Sequence, residues 1–420
     1  MGIFSKALTS SHHKSTVAKV SGDWLPYNVM HGPQSSASKS GILISEESAL
    51  FNSAVFACDR AISESIAMLP RNIYRGEENG KREIEKKNKA SKVLRREANP
   101  IQTSYKFFET TQRRALDKGN GYAELQFDSE TGDVVAAWPI PSERVKPVVF
   151  MKKGLPEIAY EIKLPDDSTV TLSKDRILHI AGIGFDGLQG YPLVQYMQNA
   201  VGLGAALEEY SSLFFKQGAE IPGYVSLPDS FNVEQISNVR LQNEIHNNGL
   251  SNAHRWKFLY ESAQFTPTGH SPSDSQMTES KVFQIQEVAR FYRMPLHKIQ
   301  ETSKAGGYSS IEQFNIEFVN DTLMPWIVNW EQEINRKFFS HDEELYVKFN
   351  VNALLRGDSA ARSTYYRTMV FSSIMTPNEA RGLEDMPPID GGNERLIPLN
   401  MLEDGKASDK SLDAKERLQD

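Results

Sequence analysis

Residues 179–192 read HIAGIGFDGLQGYP. Gly182, Gly184 and Gly187 have the spacing G-x-G-x-x-G, and an apolar run from Ile177 to Ile180 leads into them. A strand, this spacing and then a helix is the form of a dinucleotide-binding turn. In such a turn the helix starts inside the glycines, so that its first amides meet the pyrophosphate. Here Asp186-Gly187, Gly190 and Pro192 put the helix start beyond all three, and Asp186 would set a carboxylate against a phosphate. The stretch is therefore expected to be a structural corner between a sheet and a helix. A nucleotide-binding enzyme using Gly182, Gly184 and Gly187 is the rival reading.

The flanking strands support the corner. After Gly119-Asn120-Gly121, Tyr122–Phe127 alternates, with Ala123, Leu125 and Phe127 expected on one face. Val134–Trp138 returns, and further strands are expected at 157–164, 169–172 and 176–180. Too few helices alternate with them for a parallel doubly wound sheet, so the class is α+β with an antiparallel sheet. Upstream, Ser45 reads as an N-cap with Glu46 and Glu47 in the first turn. One helix is expected from there to Met68, with Phe51, Val55, Cys58, Ile62 and Leu69 as its buried stripe. Another is expected from Thr103 to Lys118. Residues 81–96, KREIEKKNKASKVLRR, hold eight basic and two acidic residues. A solvated face is the plain reading, and a contact with phosphates or an acidic partner is the rival.

Downstream lie two long helices. Pro192 opens the first as a first-turn residue and Gly218 closes it. Gly202 and Gly204 weaken its middle, so a neighbour must pack closely there. The second begins at a capping box, Ser273–Gln276, and ends before Pro295. Residues 219–272 between them read as a small α/β insert, with strands at Gly223–Leu227 and Trp256–Tyr260 and a helix from Val233 to His246. A linker runs from Pro295 to Tyr308. Ser310–Gln313 is a further capping box, opening a long helix to Phe339 that Pro325 should kink. Trp326 and Trp330 flank that kink and read as packing residues. A strand at 346–351, a helix at 360–373 and a short helix in TPNEARGLEDMPP (376–388) complete the chain. Residues 1–40 read as a mobile arm and 399–420 as a disordered tail.

The 420 residues carry a net charge of −7, and 39% are apolar, a low share that suits an elongated subunit or part of an assembly. An acidic chain does not grip nucleic acid by its average field, although DNA can pass along it. The single cysteine, Cys58, excludes an internal disulfide and a cysteine-based zinc site. No run approaches 18 apolar residues, so no membrane span is expected. His246 and His254 lack ligand spacing, and His179, on a strand, reads as a satisfied core or edge histidine. There is no G-x-S-x-G, H-E-x-x-H or G-x-x-x-x-G-K-[ST]. No catalytic residue, metal or cofactor is assigned.

The order of the segments is more specific than any one of them. It runs AVFACDRAISESIAMLP (54–70), VLRREANP (93–100), GNGYAEL (119–125), ILHIAGIGFDGLQGYP (177–192) and FFKQGAEIPGYVSL (214–227). It continues with SPSDSQMTESKVFQIQEVARFYRMP (271–295), YSSIEQFNIEFVNDTLMPW (308–326) and IMTPNEARGLEDMPPIDGG (374–392). Over roughly residues 45–395 this resembles the portal proteins of tailed bacteriophages, in the compact subfamily of long-tailed temperate phages. Ser310 departs from the asparagine most often expected there.

The resemblance implies a homo-oligomer, a ring of twelve subunits at one capsid vertex of the virion, assembled in the host cytoplasm. Double-stranded DNA would pass through it without sequence specificity. The partners implied are the terminase large subunit, a head–tail adaptor, the major capsid protein and a scaffold. The fold implied has an antiparallel wing sheet (41–190 and 310–355), stem helices (191–218 and 273–294), an α/β clip (219–272), a tunnel loop (295–309) and a helical crown (356–398). His297, Lys298, Lys304, Gly306, Gly307 and Tyr308 would belong to the channel loop. Gly190, Pro192 and Gly218 would be stem turns, and His254, Arg255 and Trp256 would meet a partner at the clip. Another head–tail adaptor or head-morphogenesis protein is the structural-class alternative.

Overall fold

The computed structural model describes residues 23–24, 38, 43–76, 82–152, 155–184, 187–216, 223–226, 234, 237, 264–267, 274–299, 308–351, 354, 359–384 and 386–396. The chain divides into two compact units, Met1–Val351 and Asn352–Asp420.

The first unit opens with the short strand β1 (Asp23–Trp24) and then α1 (Glu46–Ala49) and α2 (Ser53–Met68). The single helix expected from Ser45 to Met68 is thus two. Ser45 caps α1 in a capping box with Ser48. Asn52 then caps again, its Oδ1 accepting from the amides of Ala54 and Val55 at 3.1 and 3.3 Å. An asparagine that can bond amides two and three residues on favours a new start over continuation, by about 1 kcal/mol relative to alanine. Phe51 falls in the joint and is 88% exposed, while Val55, Cys58, Ile62 and Leu69 are buried as expected.

β2 (Arg71–Gly76), β3 (Arg82–Ile84), α3 (Ala90–Arg95), β4 (Glu97–Asn99), β5 (Gln102–Thr103) and α4 (Ser104–Asp117) follow. The described basic residues of this stretch are all exposed, as the plain reading expects, but they are spread over a strand, a loop and a helix. The stretch contributes the exposed strand β3, and α3, which buries Ala90, Val93 and Leu94. Lys89 and Lys92 pair with Asp128 and Glu97 at 2.6 and 2.8 Å. Such exposed pairs contribute about 0–1 kcal/mol.

Next come β6 (Asn120–Phe127), β7 (Val134–Ile140), β8 (Val145–Lys152), β9 (Leu155–Lys163), β10 (Thr169–Ser173) and β11 (Ile177–Ala181). Every described strand pairing is antiparallel, in sheets ordered β11-β6-β7 and β1-β8-β9-β10. β6 does not present the single buried face that alternation suggests. It is buried on both faces from Asn120 to Leu125, while Phe127 is exposed. α4 packs on this strand. Tyr122 enters a cluster with Tyr160, Ile162 and Leu172 of the second sheet. β8 was not anticipated, because Pro147 lowers its strand signal.

The long helices are α5 (Leu193–Lys216) and α6 (Asp274–Tyr292). They pack on one another at Gly204, where an added Cβ would lie 2.5 Å from Gln284 Nε2. That amide donates to Ala200 O at 3.3 Å. Between them β12 (Gly223–Ser226) pairs with β13 (Gln264–Pro267). The strand expected at Trp256–Tyr260 lies outside the described residues. So does the helix expected at Val233–His246, apart from Glu234 and Ser237, which are helical.

α7 (Tyr308–Glu317) begins two residues before Ser310, so the expected capping serine lies inside the helix. A π-helical segment, Phe318–Leu323, joins it to α8 (Met324–Phe338). The irregularity expected at Pro325 is thus absorbed by the turn before it. Proline lacks an N–H and crowds the carbonyl four residues back, and a widened turn relieves both. α8 carries Trp330 into the core. Its indole meets the Phe108 ring at 4.7 Å, and its Nε1 donates to Gln112 Oε1 at 2.8 Å. β14 (Leu345–Phe349) pairs with β2, giving a third sheet, β14-β2-β3.

The second unit contains α9 (Ser359–Phe371) and α10 (Pro377–Leu383). Thr376 and Glu379 form a capping box at the start of α10. The Tyr366 hydroxyl ties the two helices by donating to Glu384 at 2.7 Å. No described helix is long and apolar enough to cross a membrane.

Candidate functional site

Two places position the residues of interest: the corner where β11 becomes α5, and the turn where α6 ends. At the corner, Ala181 of β11 lies opposite Asn120 of β6. The Gly182 amide donates to Gly119 O at 2.8 Å, and the Tyr191 amide to Ile183 O at 2.8 Å. The Gly190 amide donates to Asn120 Oδ1 at 2.9 Å, and Asn120 Nδ2 returns a bond to Gly190 O at 2.7 Å. A Cβ on Gly184 would lie 1.8 Å from Gln189 O, and one on Gly190 would lie 2.0 Å from Gly119 O. These glycines let chain pack on chain. Gly187, with φ +70°, makes the turn. The helix starts at Leu193, past all three glycines of the motif and one residue after Pro192, whose carbonyl accepts from Gln195 N at 3.1 Å. The amide of Gly182 is taken up by the chain itself, so the geometry departs from a dinucleotide turn.

His179 belongs to the same corner. Its Nε2 meets Asn120 Oδ1 at 2.9 Å, its Nδ1 meets the Tyr160 hydroxyl at 3.2 Å, and its ring stacks on Tyr122. The Asn120 oxygen assigns the proton to Nε2, and the tyrosine then donates to Nδ1. Burial, with Lys337 and Arg336 nearby, pushes its pKa down to about 3. It is a neutral core histidine.

At the far end of α6, Arg293 takes φ +52° and the Met294 amide closes on Ala289 O at 2.8 Å. Thr322, from the π segment, donates its hydroxyl to Arg293 O. Leu296–Ile299 then forms a 3-10 turn. His297 stacks on Phe314 of α7 with ring centroids 5.2 Å apart, and its pKa is lowered by burial and then by Lys298. The Lys298 ammonium stands 5.0 Å from the centre of the Phe318 ring, and partial desolvation lowers its pKa. A cation over an aromatic face at this distance is held by about 0.5–1 kcal/mol, weakly enough to leave. An open cleft of about 660 Å³ lies alongside, lined by Arg290 and Arg293 from one side and Glu317 and Asp321 from the other.

The expected channel residues are thus only partly placed. His297 and Lys298 stand together at the root of the linker, and Tyr308 opens α7. Lys304, Gly306 and Gly307 lie outside the described residues, as do Gly218 and the clip residues His254, Arg255 and Trp256. Among the described residues no group of three or more His, Cys, Asp or Glu could hold a metal ion.

Sequence reasoning missed three polar centres. Asn120 was read only as part of a turn. Arg71 is buried, with its Nε donating to Leu94 O at 2.8 Å and its guanidinium 3.9 Å from the centre of the Phe108 ring; desolvation lowers its pKa to about 9. Asp59 is buried on α2, facing Asp117 of α4 and Tyr292 of α6. Its signal was present: Asp59 is four residues after Val55 and three before Ile62, on the apolar stripe itself.

Comparison with known proteins bears on the whole arrangement. The family model described as "Phage portal protein" matches residues 53–385. The portal protein of Enterobacteria phage HK97 is 30% identical over 354 residues, covering 83% of this chain and 82% of its own length. The probable portal protein of Streptomyces phage phiC31 is 28% identical, covering 97% and 90%. Among solved structures, a chain from the neck of a native gene transfer agent particle computed with C12 symmetry aligns with TM-score 0.54 at 20% identity, covering 80% of this chain and 91% of its own. An HK97-family phage portal protein from Corynebacterium diphtheriae aligns with TM-score 0.55 at 15% identity, covering 75% and 97%. The match spans β2 to β14, the corner, the long helix pair and the helix that follows the π segment, and this chain belongs to the phage portal protein family.

Proposed function

We propose that the chain forms a ring of twelve subunits at one vertex of a phage capsid, with a central channel that conducts double-stranded DNA without reading its sequence. The observation that carries this reading is the helix pair α5/α6. It leaves the sheets at a rigid glycine corner, returns to the same end at the Lys298 turn with the β12–β13 insert at the opposite end, and is drawn together at Gly204. A close-packed pair of helices can form a wall that stays in place while the segment beyond Pro295 meets the cargo. The symmetry of the related neck particle favours twelve copies.

The proposed division follows from this. The sheets and α8 form the wing, α5 and α6 the stem, and the β12–β13 insert the clip. Residues 295–309 form the tunnel loop, and the second unit forms the crown. His254, Arg255 and Trp256 would meet the terminase large subunit, and later a head–tail adaptor. The major capsid protein and a scaffold would surround the ring in the virion, after assembly in the host cytoplasm. The chain itself performs no chemistry in this reading, and a separate motor drives the DNA.

A net charge of −7 per subunit suits a conduit, because an acidic wall does not retain phosphates. Lys298 and Lys304 supply isolated, salt-sensitive contacts to the DNA backbone. Electron microscopy of the purified full chain tests the reading. Closed rings with a central hole and near-twelvefold symmetry are expected. A compact monomer or dimer that binds a dinucleotide overturns it.

A further inference from the structure

Asp59 is 1% exposed in the middle of α2, and neither of its carboxyl oxygens accepts a hydrogen bond from any N–H or O–H; the buried Asp117 Oδ1 and Tyr292 hydroxyl are likewise without a hydrogen-bond partner. An ionised carboxylate in that position is untenable, since its desolvation is offset by no donor. The groups within reach are the Asp117 carboxyl at the last turn of α4 and the Tyr292 hydroxyl at the last turn of α6. Both are themselves buried. Arg113 lies 3.6 Å from Asp117 Oδ2, so Asp117 is the member of the pair with a cation beside it. α2 packs on both α4 and α6, and three helices therefore meet over two carboxyls.

We infer that Asp59 is carried as a neutral carboxylic acid whose proton is shared with Asp117, and that this proton is a removable tie seating the end of α6 on α2 and α4. The chain of groups is Asp59–H to Asp117 carboxylate to Arg113 guanidinium, with the Tyr292 hydroxyl alongside. The two acids hold one proton and one negative charge, and the arginine balances the charge. Two like charges so close and so buried cannot both ionise. Burial, then the charge of Asp117, raises the Asp59 pKa well above the usual carboxylate range. The neighbouring Cys58 thiol, pushed up to about 12 by burial and then by Asp59, stays neutral and supplies no charge. The Leu296–Ile299 turn and the π segment also pack on α2, and they carry His297, Lys298 and Asp321.

The position gives the tie a consequence. Tyr292 is the last residue of α6, five residues before His297. The proton can leave only as that helix end comes away from α2 and α4, so rising pH favours opening at the root of the linker. That last step, an effect on a DNA-contacting loop, rests on the portal reading; the tie itself does not.

The sign is fixed by the raised value. The folded chain binds a proton that the unfolded chain has released above the ordinary carboxyl range. Stability is therefore greatest at low pH and falls as pH rises, until the folded value is passed. For one proton the opening equilibrium changes by about tenfold per pH unit in that window. Hydrogen exchange of the full chain between pH 5 and 9, corrected for intrinsic rates, reads this at peptides covering 286–299. Protection in the wild type should fall by up to about tenfold per unit. Asp59→Asn, which keeps the shape and a donor toward Asp117, should flatten the profile and protect these peptides more at pH 8. Asp117→Asn gives Asp59 an amide donor, so the fall should end at lower pH. A wild type with no pH dependence overturns the inference. So does an Asp59→Asn chain that keeps the wild-type profile, or one that is less protected at every pH while Asp117→Asn leaves the profile unmoved. Ring formation by electron microscopy is scored separately, so failure of the tie and failure of the portal reading are told apart.

Discussion

At the residue scale, the same letter does different work in one short stretch. Gly190 is needed because Gly119 O would lie 2.0 Å from any Cβ there, and Gly182 N 2.5 Å from it. Both obstacles are backbone, so neither can swing aside. Gly187 meets nothing within 4 Å and needs only its positive φ. Gly190→Ala should therefore cost about 3 kcal/mol, from overpacking. Gly187→Ala should cost about 1 kcal/mol, from the left-handed backbone alone. Urea denaturation of both variants checks the difference, and equal losses would refute the close-packed corner. Sequence alone placed the helix start beyond the glycines, because Pro192 and Asp186 are local signals. It could not show that Asn120, seventy positions away from Gly190, ties the corner shut. Nor could it show that Arg71 finds the carbonyls of Leu94 and Ile66 and the rings of Phe108 and Phe349 instead of a carboxylate. Those partners are set by tertiary packing, on which spacing within an element is silent.

At the element scale, type was legible more often than boundary. The long helices, the hairpins and the short helix in 376–388 stand where periodicity and turn signals put them. The failures have local causes. Asn52 is a better cap than its place in a helical pattern suggests, and α7 starts ahead of the serine that looked like its cap. The break before Pro325 takes the form of a π turn, because the helix relieves the proline upstream of it. Across α5 and α6 the open question is how close the helices must lie. An alanine at Gly204 would meet only the far end of Gln284, a side chain that can move. It would also gain about 1 kcal/mol of helix propensity. Gly204→Ala should thus stay within about 1 kcal/mol of the wild type, whereas Gly204→Leu should push the helices apart and lose about 2–3 kcal/mol. Thermal unfolding of the pair of variants discriminates close approach from mere flexibility. If alanine costs as much as leucine, the contact tolerates no atom at all and the Gln284 side chain is fixed.

At the scale of the whole molecule, no single motif named the family. The ordered set of segments did, and the match to the phage portal family from residue 53 to 385 covers nearly the same span. What order cannot supply is which side chains reach the cargo. Of the six residues assigned to the channel, His297 and Lys298 are packed against Phe314 and Phe318 at the root of the linker. Their rings hold the two ends of the linker near one another, so the roots need not depend on the residues between them. Removing 299–306 should therefore leave ring formation intact, judged by electron microscopy, and should impair DNA packaging or retention, judged by DNA content per particle. Loss of rings would make the segment a subunit contact instead. Lys298→Ala should have only a small effect on DNA content. Each phosphate contact is individually weak, and this ammonium already has an aromatic face as an alternative resting place. The small effect should shrink further as salt is raised, because screening removes the contact in the wild type as surely as the substitution does.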